Sequence, residues 1–148
     1  MKYFLLIMAI FLVFCLAVST LPAMGIDSEE MNCMSLNIYH EARGEPEHGQ
    51  LLVAHVVMNR VDAAQWPDTV CGVVYQDKQF SWTHDNISDD TPNHRARQKS
   101  REIARQAMSG RGKRKVDGPT HYHASNIVPW WASKLEFMYG VGNHKFYR

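Results

Sequence analysis

The stretch NIYHEARGEPEHGQ, residues 37 to 50, sets His40 beside Glu41, with Gly44, Glu45 and Pro46 just after. A histidine next to a glutamate suits metal-assisted hydrolysis or general-acid catalysis, and spacing separates the two. A zinc-protease helix carries its second histidine four residues after the first, one turn up the same face; here that position is Gly44. A different zinc site, drawn from His40, His121, His123 and His144, stays open as an alternative. Its one pair at a usable spacing is His121 and His123, whose rings share one side of a strand. The acid reading calls for neither metal nor cofactor.

That reading rests on Glu41. It falls about one turn before the expected end of a helix, where a side chain can face a cleft from a rigid backbone. Packed against apolar or aromatic groups, a carboxyl keeps its proton near neutral pH and can act as a general acid. Phe80, Trp82, Tyr122, Trp130 and Trp131 are the candidates for that wall. A solvated residue on a helix surface is the plain alternative. Glu45 is not its catalytic partner. Four residues apart on one helix, the two side chains stand side by side, roughly 5–6 Å apart at Cβ, whereas glycosidase carboxylates flank the scissile bond. Glu45 is expected to orient the turn, or to pair with Arg43 or Arg60.

The elements that position these groups follow from the pattern. Lys2, the uncharged run from Tyr3 to Val18 and the small residues ending near Ala23 or Gly25 have the layout of a secretory signal over residues 1–23, with an uncleaved N-terminal anchor as the alternative. The remainder, 24–148, is one domain. Loss of the signal removes one charge, Lys2, from 16 basic and 15 acidic residues. A balanced chain excludes a dedicated nucleic-acid binder. It keeps Cys33 and Cys71, an even pair that in an exported domain reads as a disulfide, with two separate buried thiols as the alternative.

Asp27, with Glu30 three residues on, forms a capping box for a first helix, along which Met31, Met34, Ile38 and Ala42 make an apolar stripe that ends at Gly44. Residues 49 to 61 form a second helix, apolar on nearly all sides and therefore central. Pro67 starts a short helix that returns Cys71 towards Cys33. Residues 77 to 93 lack periodicity and form a long surface loop. Asn93 caps a helix from His94 to Ser109, ended by Gly110, with Ala96, Ser100, Ile103 and Ala107 inside. From Pro119 the chain turns β-rich, with Gly140 to Asn143 as a hairpin turn. Between Arg95 and Lys115 nine residues are basic and one, Glu102, is acidic. This run is either an anchor for an anionic surface or a solvated helix face.

Five blocks in order, IYHEARGEPEHGQLLVAHVVMNRV, WPDTVCGVVYQDKQFSW, THYHA, PWWA and GNHKFYR, resemble the catalytic domain of the SleB-type cell wall hydrolases, which include spore cortex-lytic enzymes and phage and proteobacterial relatives. The resemblance runs from about residue 31 to 148. It implies an α+β, mainly α, lysozyme-like single domain with a small C-terminal β element. It also implies cleavage of the β-1,4 bond between N-acetylmuramic acid and N-acetylglucosamine in peptidoglycan. The glutamate of its E-A-R-G-E-P block is the catalytic acid, which falls on Glu41. In members described as lytic transglycosylases, the muramic C6 hydroxyl attacks the anomeric carbon and leaves a 1,6-anhydro end. One glutamate then serves first as acid and afterwards as base.

By the same resemblance, Gln79 and Ser81 hydrogen-bond sugar hydroxyls and acetamido groups, Trp82 stacks on a pyranose face, and Tyr122 and His123 assist at the developing charge. Phe80, Trp130 and Trp131 have core or rim positions as their alternative, and His144 and Tyr147 can simply pack the hairpin. With no separate wall-binding domain in the matched pattern, targeting is expected from the cleft or from surface charge. The expected protein is a monomer acting on peptidoglycan strands in the periplasm, cell envelope or extracellular space. A retained signal makes it a membrane-tethered lysin. Two other readings stand beside this one, a non-catalytic peptidoglycan-binding module and a zinc-dependent cell-wall amidase or peptidase.

Overall fold

The computed structural model describes residues 27–110 and 118–148. The expected signal segment, 1–23, and the basic residues Arg111 to Lys115 lie outside the described residues. The elements are α1 (Ser28–Ala42), α2 (Glu47–Val61), α3 (Val70–Val74), α4 (His94–Ser109), β1 (His121–Ala124), β2 (Phe137–Val141) and β3 (His144–Tyr147). Short 3-10 turns stand at Ser81–Thr83 and Ala132–Lys134.

Helix α1 begins where Asp27 Oδ1 accepts a hydrogen bond from the Glu29 N–H at 2.8 Å. The second half of the expected capping box is not made. The Glu30 carboxylate instead accepts from the Val70 and Cys71 N–H groups. There it meets the orphan amides at the start of α3, where negative charge is favoured. Thr69 caps α3 through Oγ1, which accepts from the Gly72 N–H at 3.0 Å. Pro67 therefore precedes this helix rather than opening it, a correction to the sequence expectation. The Cys33–Cys71 disulfide joins α1 and α3, with Cα atoms 5.3 Å apart across a separation of 38 residues.

The buried stripe of α1, including Met34 and Ile38, packs on Ala54, Val57 and Met58 of α2, on Val70, Val73 and Val74 of α3, and on Ile103, Ala104 and Ala107 of α4. Asn93 Oδ1 accepts from the Ala96 N–H at 3.0 Å and starts α4 at the expected place. Its small inner residues let it lie close to α1, and Arg97 locks the pair by donating to Ser35 Oγ (2.6 Å) and Asn32 Oδ1 (2.7 Å). Lys99 reaches Glu47 of α2 at 2.6 Å. Two members of the basic run thus make contacts within the fold.

The sheet has the order β1-β3-β2, antiparallel throughout, with Tyr122 opposite Phe146 and His123 opposite Lys145. Its inner face is set by Phe146, which packs with Ala42, Leu52, Val53 and Val56. The β2–β3 turn is narrower than the sequence suggests. Gly140 belongs to β2, and the two turn residues are Gly142 and Asn143. Gly142 has φ +57°, which a glycine adopts without strain, and a Cβ there would overlap the Glu45 carboxylate.

Candidate active site

Glu41 lies on the last turn of α1, and Tyr122 comes to it from β1. The Tyr122 hydroxyl donates to Glu41 Oε2 at 3.0 Å. Burial holds the Glu41 carboxyl above its ordinary pKa, and the Tyr122 hydrogen bond, which favours the carboxylate, acts against that rise. The Tyr122 hydroxyl is pushed well above the usual phenol value, first by burial and then by the charge and hydrogen bond of Glu41, with Arg60 opposing. Tyr122 is therefore a permanent donor at working pH. The bond engages Oε2, and Oε1 is the other oxygen on which the carboxyl can hold a proton.

Glu45 is turned elsewhere. Its two carboxylate oxygens accept from the Asn143 backbone N–H (2.8 Å) and side-chain Nδ2 (3.1 Å), 98 residues away. It orients a turn, but that of the hairpin, and pairs with neither Arg43 nor Arg60. Arg43 donates to the Tyr39 carbonyl at 3.2 Å.

The 77–93 loop packs against α1 through Trp82. Trp82 is only 6 % exposed. Its ring stacks on His40 with centroids 4.6 Å apart and planes 14° from parallel, and its Nε1–H donates to Asn37 Oδ1 at 3.2 Å. The structure thus places Trp82 as a buried support for the residue preceding Glu41, with one ring face occupied by His40. Nε2 of His40 is buried without a hydrogen-bond partner among the described residues. Phe80 is buried in the helical core. Ser81 is exposed between these two aromatics.

Arg60 joins the parts. This guanidinium, 6 % exposed, donates from Nε to the Thr120 carbonyl (2.7 Å) and from NH1 to Gln79 Oε1 (2.9 Å). Its carbon lies 5.8 Å from the ring centroids of both Trp66 and Phe80. Sequence reading considered Arg60 only as a partner for Glu45. The available signal was an arginine near the end of a mostly apolar, buried helix, because a buried cation needs dedicated acceptors.

Strand alternation separates the two residues of β1 expected to act together. Tyr122 faces Glu41, while His123 lies on the outer face with His121. Trp131 packs there, 5.4 Å from His121, 5.6 Å from His123 and 5.6 Å from Tyr147 between ring centroids. His123 Nδ1 lies 2.8 Å from the Ala124 carbonyl, and Nε2 lies 3.0 Å from the Tyr147 hydroxyl. His144 is on the inner face, against Tyr122. Burial lowers the pKa of both His121 and His144. Of the four histidines of the zinc alternative, His121 and His123 share the outer face while His144 is on the inner face and His40 on α1, and no group of three or more His, Cys, Asp or Glu among the described residues is placed to hold a metal ion. Trp130 stands 76 % exposed, with Lys134 Nζ 4.6 Å above its ring.

A groove lined by His48, His55, Gln106, Tyr139 and Val141 runs to Gly110 and Gly118. Glu41 does not line it. It contains no carboxyl among its described lining residues, whereas Glu41 has both a proton-retaining environment and a fixed donor.

Comparison with known proteins gives the family and the fold. Residues 44–147 match the family model described as Cell Wall Hydrolase, a match that begins just after Glu41. The spore cortex-lytic enzyme of Halalkalibacterium halodurans is 36% identical over 129 residues, 86% of this chain and 37% of that protein. That of Oceanobacillus iheyensis is 39% identical over 74 residues, 50% of this chain and 27% of that protein. The chain therefore spans well under half the length of these curated relatives. Among solved structures, the catalytic domain of the germination-specific lytic transglycosylase SleB from Bacillus anthracis superposes with TM-score 0.70 at 27% identity, covering 84% of this chain and 98% of that one. The catalytic domain of the Bacillus cereus SleB protein gives TM-score 0.64 at 27% identity, covering 84% and 94%. The mainly helical, lysozyme-like architecture is shared with both.

Proposed function

The chain belongs to the cell wall hydrolase family, and from that premise we propose that it is a peptidoglycan-degrading enzyme, a lytic transglycosylase that cleaves the β-1,4 bond between N-acetylmuramic acid and N-acetylglucosamine with Glu41 as its single catalytic carboxyl. The observation that carries the reading is the Tyr122 hydroxyl donating to Glu41 Oε2 at 3.0 Å in a site that raises the carboxyl's pKa.

The chemistry follows from those two groups. Protonated Glu41 gives its proton to the bridging oxygen as that oxygen leaves with the N-acetylglucosamine unit, and the anomeric carbon of the muramic residue becomes electron-poor. The carboxylate that remains is stabilised by the Tyr122 O–H. It takes the proton of the muramic C6 hydroxyl as that oxygen bonds to the anomeric carbon, which closes the 1,6-anhydro ring and restores protonated Glu41. No water is consumed and no second carboxylate is required, in keeping with the engagement of Glu45 at Asn143. Gln79 and Ser81 contact the sugars, and Trp82 contributes by bracing His40. His123 supports β1 from the other face. The substrate places the enzyme's work outside the cytoplasm, in the envelope or beyond it, and the protein acts as a monomer.

Glu41→Gln tests the assignment. The variant is expected to fold and to sediment with purified peptidoglycan, yet release no soluble muropeptides. A variant that still releases them at the wild-type rate contradicts the role of Glu41.

A further inference from the structure

We propose that Arg60 is a positioning residue that fixes the polarity of the Gln79 amide, so that the site presents an N–H donor to the glycan and selects sugars carrying an amide carbonyl, the N-acetyl group, at that point. The inference rests on the reading of the site as a peptidoglycan glycan-cleaving centre and deepens it.

The reasoning starts from what a guanidinium can do. Arg60 has only donors to offer. NH1 lies 2.9 Å from the Gln79 side-chain amide, so the atom facing it must be the carbonyl oxygen, whichever way the amide would turn if free. Nε is already committed to the Thr120 carbonyl at 2.7 Å, and the Trp66 and Phe80 rings flank the group. Arg60 is thereby held on three sides and cannot swing to follow a flipped amide. The Gln79 NH2 is the polar end that remains, and among the described residues it has no hydrogen-bond partner. Gln79 is partly exposed. It begins the stretch that continues through Ser81 to Trp82, whose ring stacks on His40 beside Glu41. From its other side Arg60 grips Thr120, just ahead of β1 and two residues before Tyr122, the donor to Glu41. The same buried cation therefore ties the amide and the catalytic carboxyl into one frame.

An oriented NH2 discriminates between partners. A sugar hydroxyl can donate or accept and would satisfy either end of a glutamine, whereas an N-acetyl carbonyl only accepts and an ammonium only donates. A glycan whose acetamido group has been converted to an amine and carries it as the ammonium brings donor against donor. Such a mismatch leaves polar groups unpaired and discriminates strongly.

The test uses glycan strands in two forms, chemically N-deacetylated and the same strands re-acetylated, and measures kcat/KM on each for the wild type and Gln79→Glu. The carboxylate of this variant still pairs with Arg60 but offers no donor to the glycan and attracts the ammonium. The wild type is expected to favour re-acetylated strands, and Gln79→Glu to lower that preference ratio by roughly 10-fold or more. Arg60→Lys, a donor-only replacement, is expected to keep the ratio. Arg60→Met, which frees the amide to turn, is expected to reduce it while Gln79 is still present. If Arg60→Met does not fold, Gln79→Glu decides alone. An unchanged ratio in folded, active Gln79→Glu overturns the proposal and leaves the Glu41 mechanism standing. A wild-type protein that cleaves neither form overturns the underlying reading of the site and this proposal with it.

Discussion

The hydroxyl of Tyr122 donates to Oε2 of Glu41 across 3.0 Å, joining the last turn of the first helix to the first strand of a sheet 81 residues later. In the proposed mechanism the contact serves the acid–base cycle in both directions. It leaves Oε1 to hold the proton, and it stabilises the carboxylate once the proton has been given up. Burial raises the Glu41 pKa and this bond lowers it, so the balance between them sets the pH at which the acid is charged.

Tyr122→Phe removes the lowering influence. The Glu41 pKa rises further, and the basic limb of the pH–activity profile, which reports loss of the proton from the acid, moves to higher pH. Hydrogen bonds to charged groups are worth about 1.5–3 kcal/mol, so the rate at neutral pH is expected to fall roughly 10- to 100-fold through poorer stabilisation of the carboxylate. A basic limb that stays in place or moves to lower pH contradicts the account.

Glu41→Gln has a stability signature of its own. A carboxyl whose folded pKa is raised contributes stability that is fully present below its unfolded value, roughly 4.3, and is lost as pH rises through the folded value. Above that point the buried carboxylate burdens the fold, and the uncharged amide does not. Melting temperatures of the variant should therefore exceed those of the wild type at neutral and basic pH, with the gap closing as the pH falls below the ordinary glutamate range. A gap that widens on acidification contradicts burial as the dominant influence.

Replacing both Cys33 and Cys71 by serine opens a cross-link spanning 38 residues between α1 and α3. The chain-entropy contribution of such a loop is about 4 kcal/mol. Denaturant unfolding should show a loss of that order, matched by adding reductant to the wild type. Equal stability of the oxidised and reduced proteins contradicts a structural role for the bond.

The clamp between Glu45 and the β2–β3 turn gives another expectation. Glu45→Ala leaves the Asn143 N–H without its carboxylate, and a lost hydrogen bond to a charged group costs about 1.5–3 kcal/mol, less for one as exposed as this. Gly142→Ala puts a side chain into a left-handed conformation, at about 1–2 kcal/mol, and pushes its Cβ into the Glu45 carboxylate. Both should lower the denaturation midpoint, and the double variant should lose less than the sum. Full additivity contradicts a shared contact.

Most of what residue patterns made legible was local, the disulfide apart. Asn93 and Asp27 start helices where a capping side chain predicts them, because a cap acts within three residues. The helix from His94 to Ser109 is found within its expected bounds, and the Cys33–Cys71 disulfide forms. The misses involve groups far apart in the chain. Glu30 has a local role open to it at Asp27 but meets the amides of Val70 and Cys71 instead. Glu45 has arginines near it in sequence, yet tertiary packing brings it Asn143. Trp82 looks like a free stacking surface until His40 is seen to cover one face of it. The divergence of Tyr122 and His123 was available beforehand, since neighbours on a strand point to opposite faces.

Mass spectrometry of the soluble products released from purified peptidoglycan, with Glu41→Gln as the control, tests the central claim most directly. The account predicts 1,6-anhydromuramic ends in the wild-type digest and their disappearance in the variant. Reducing muramic ends in place of anhydro ends, or products that persist in Glu41→Gln, would contradict it.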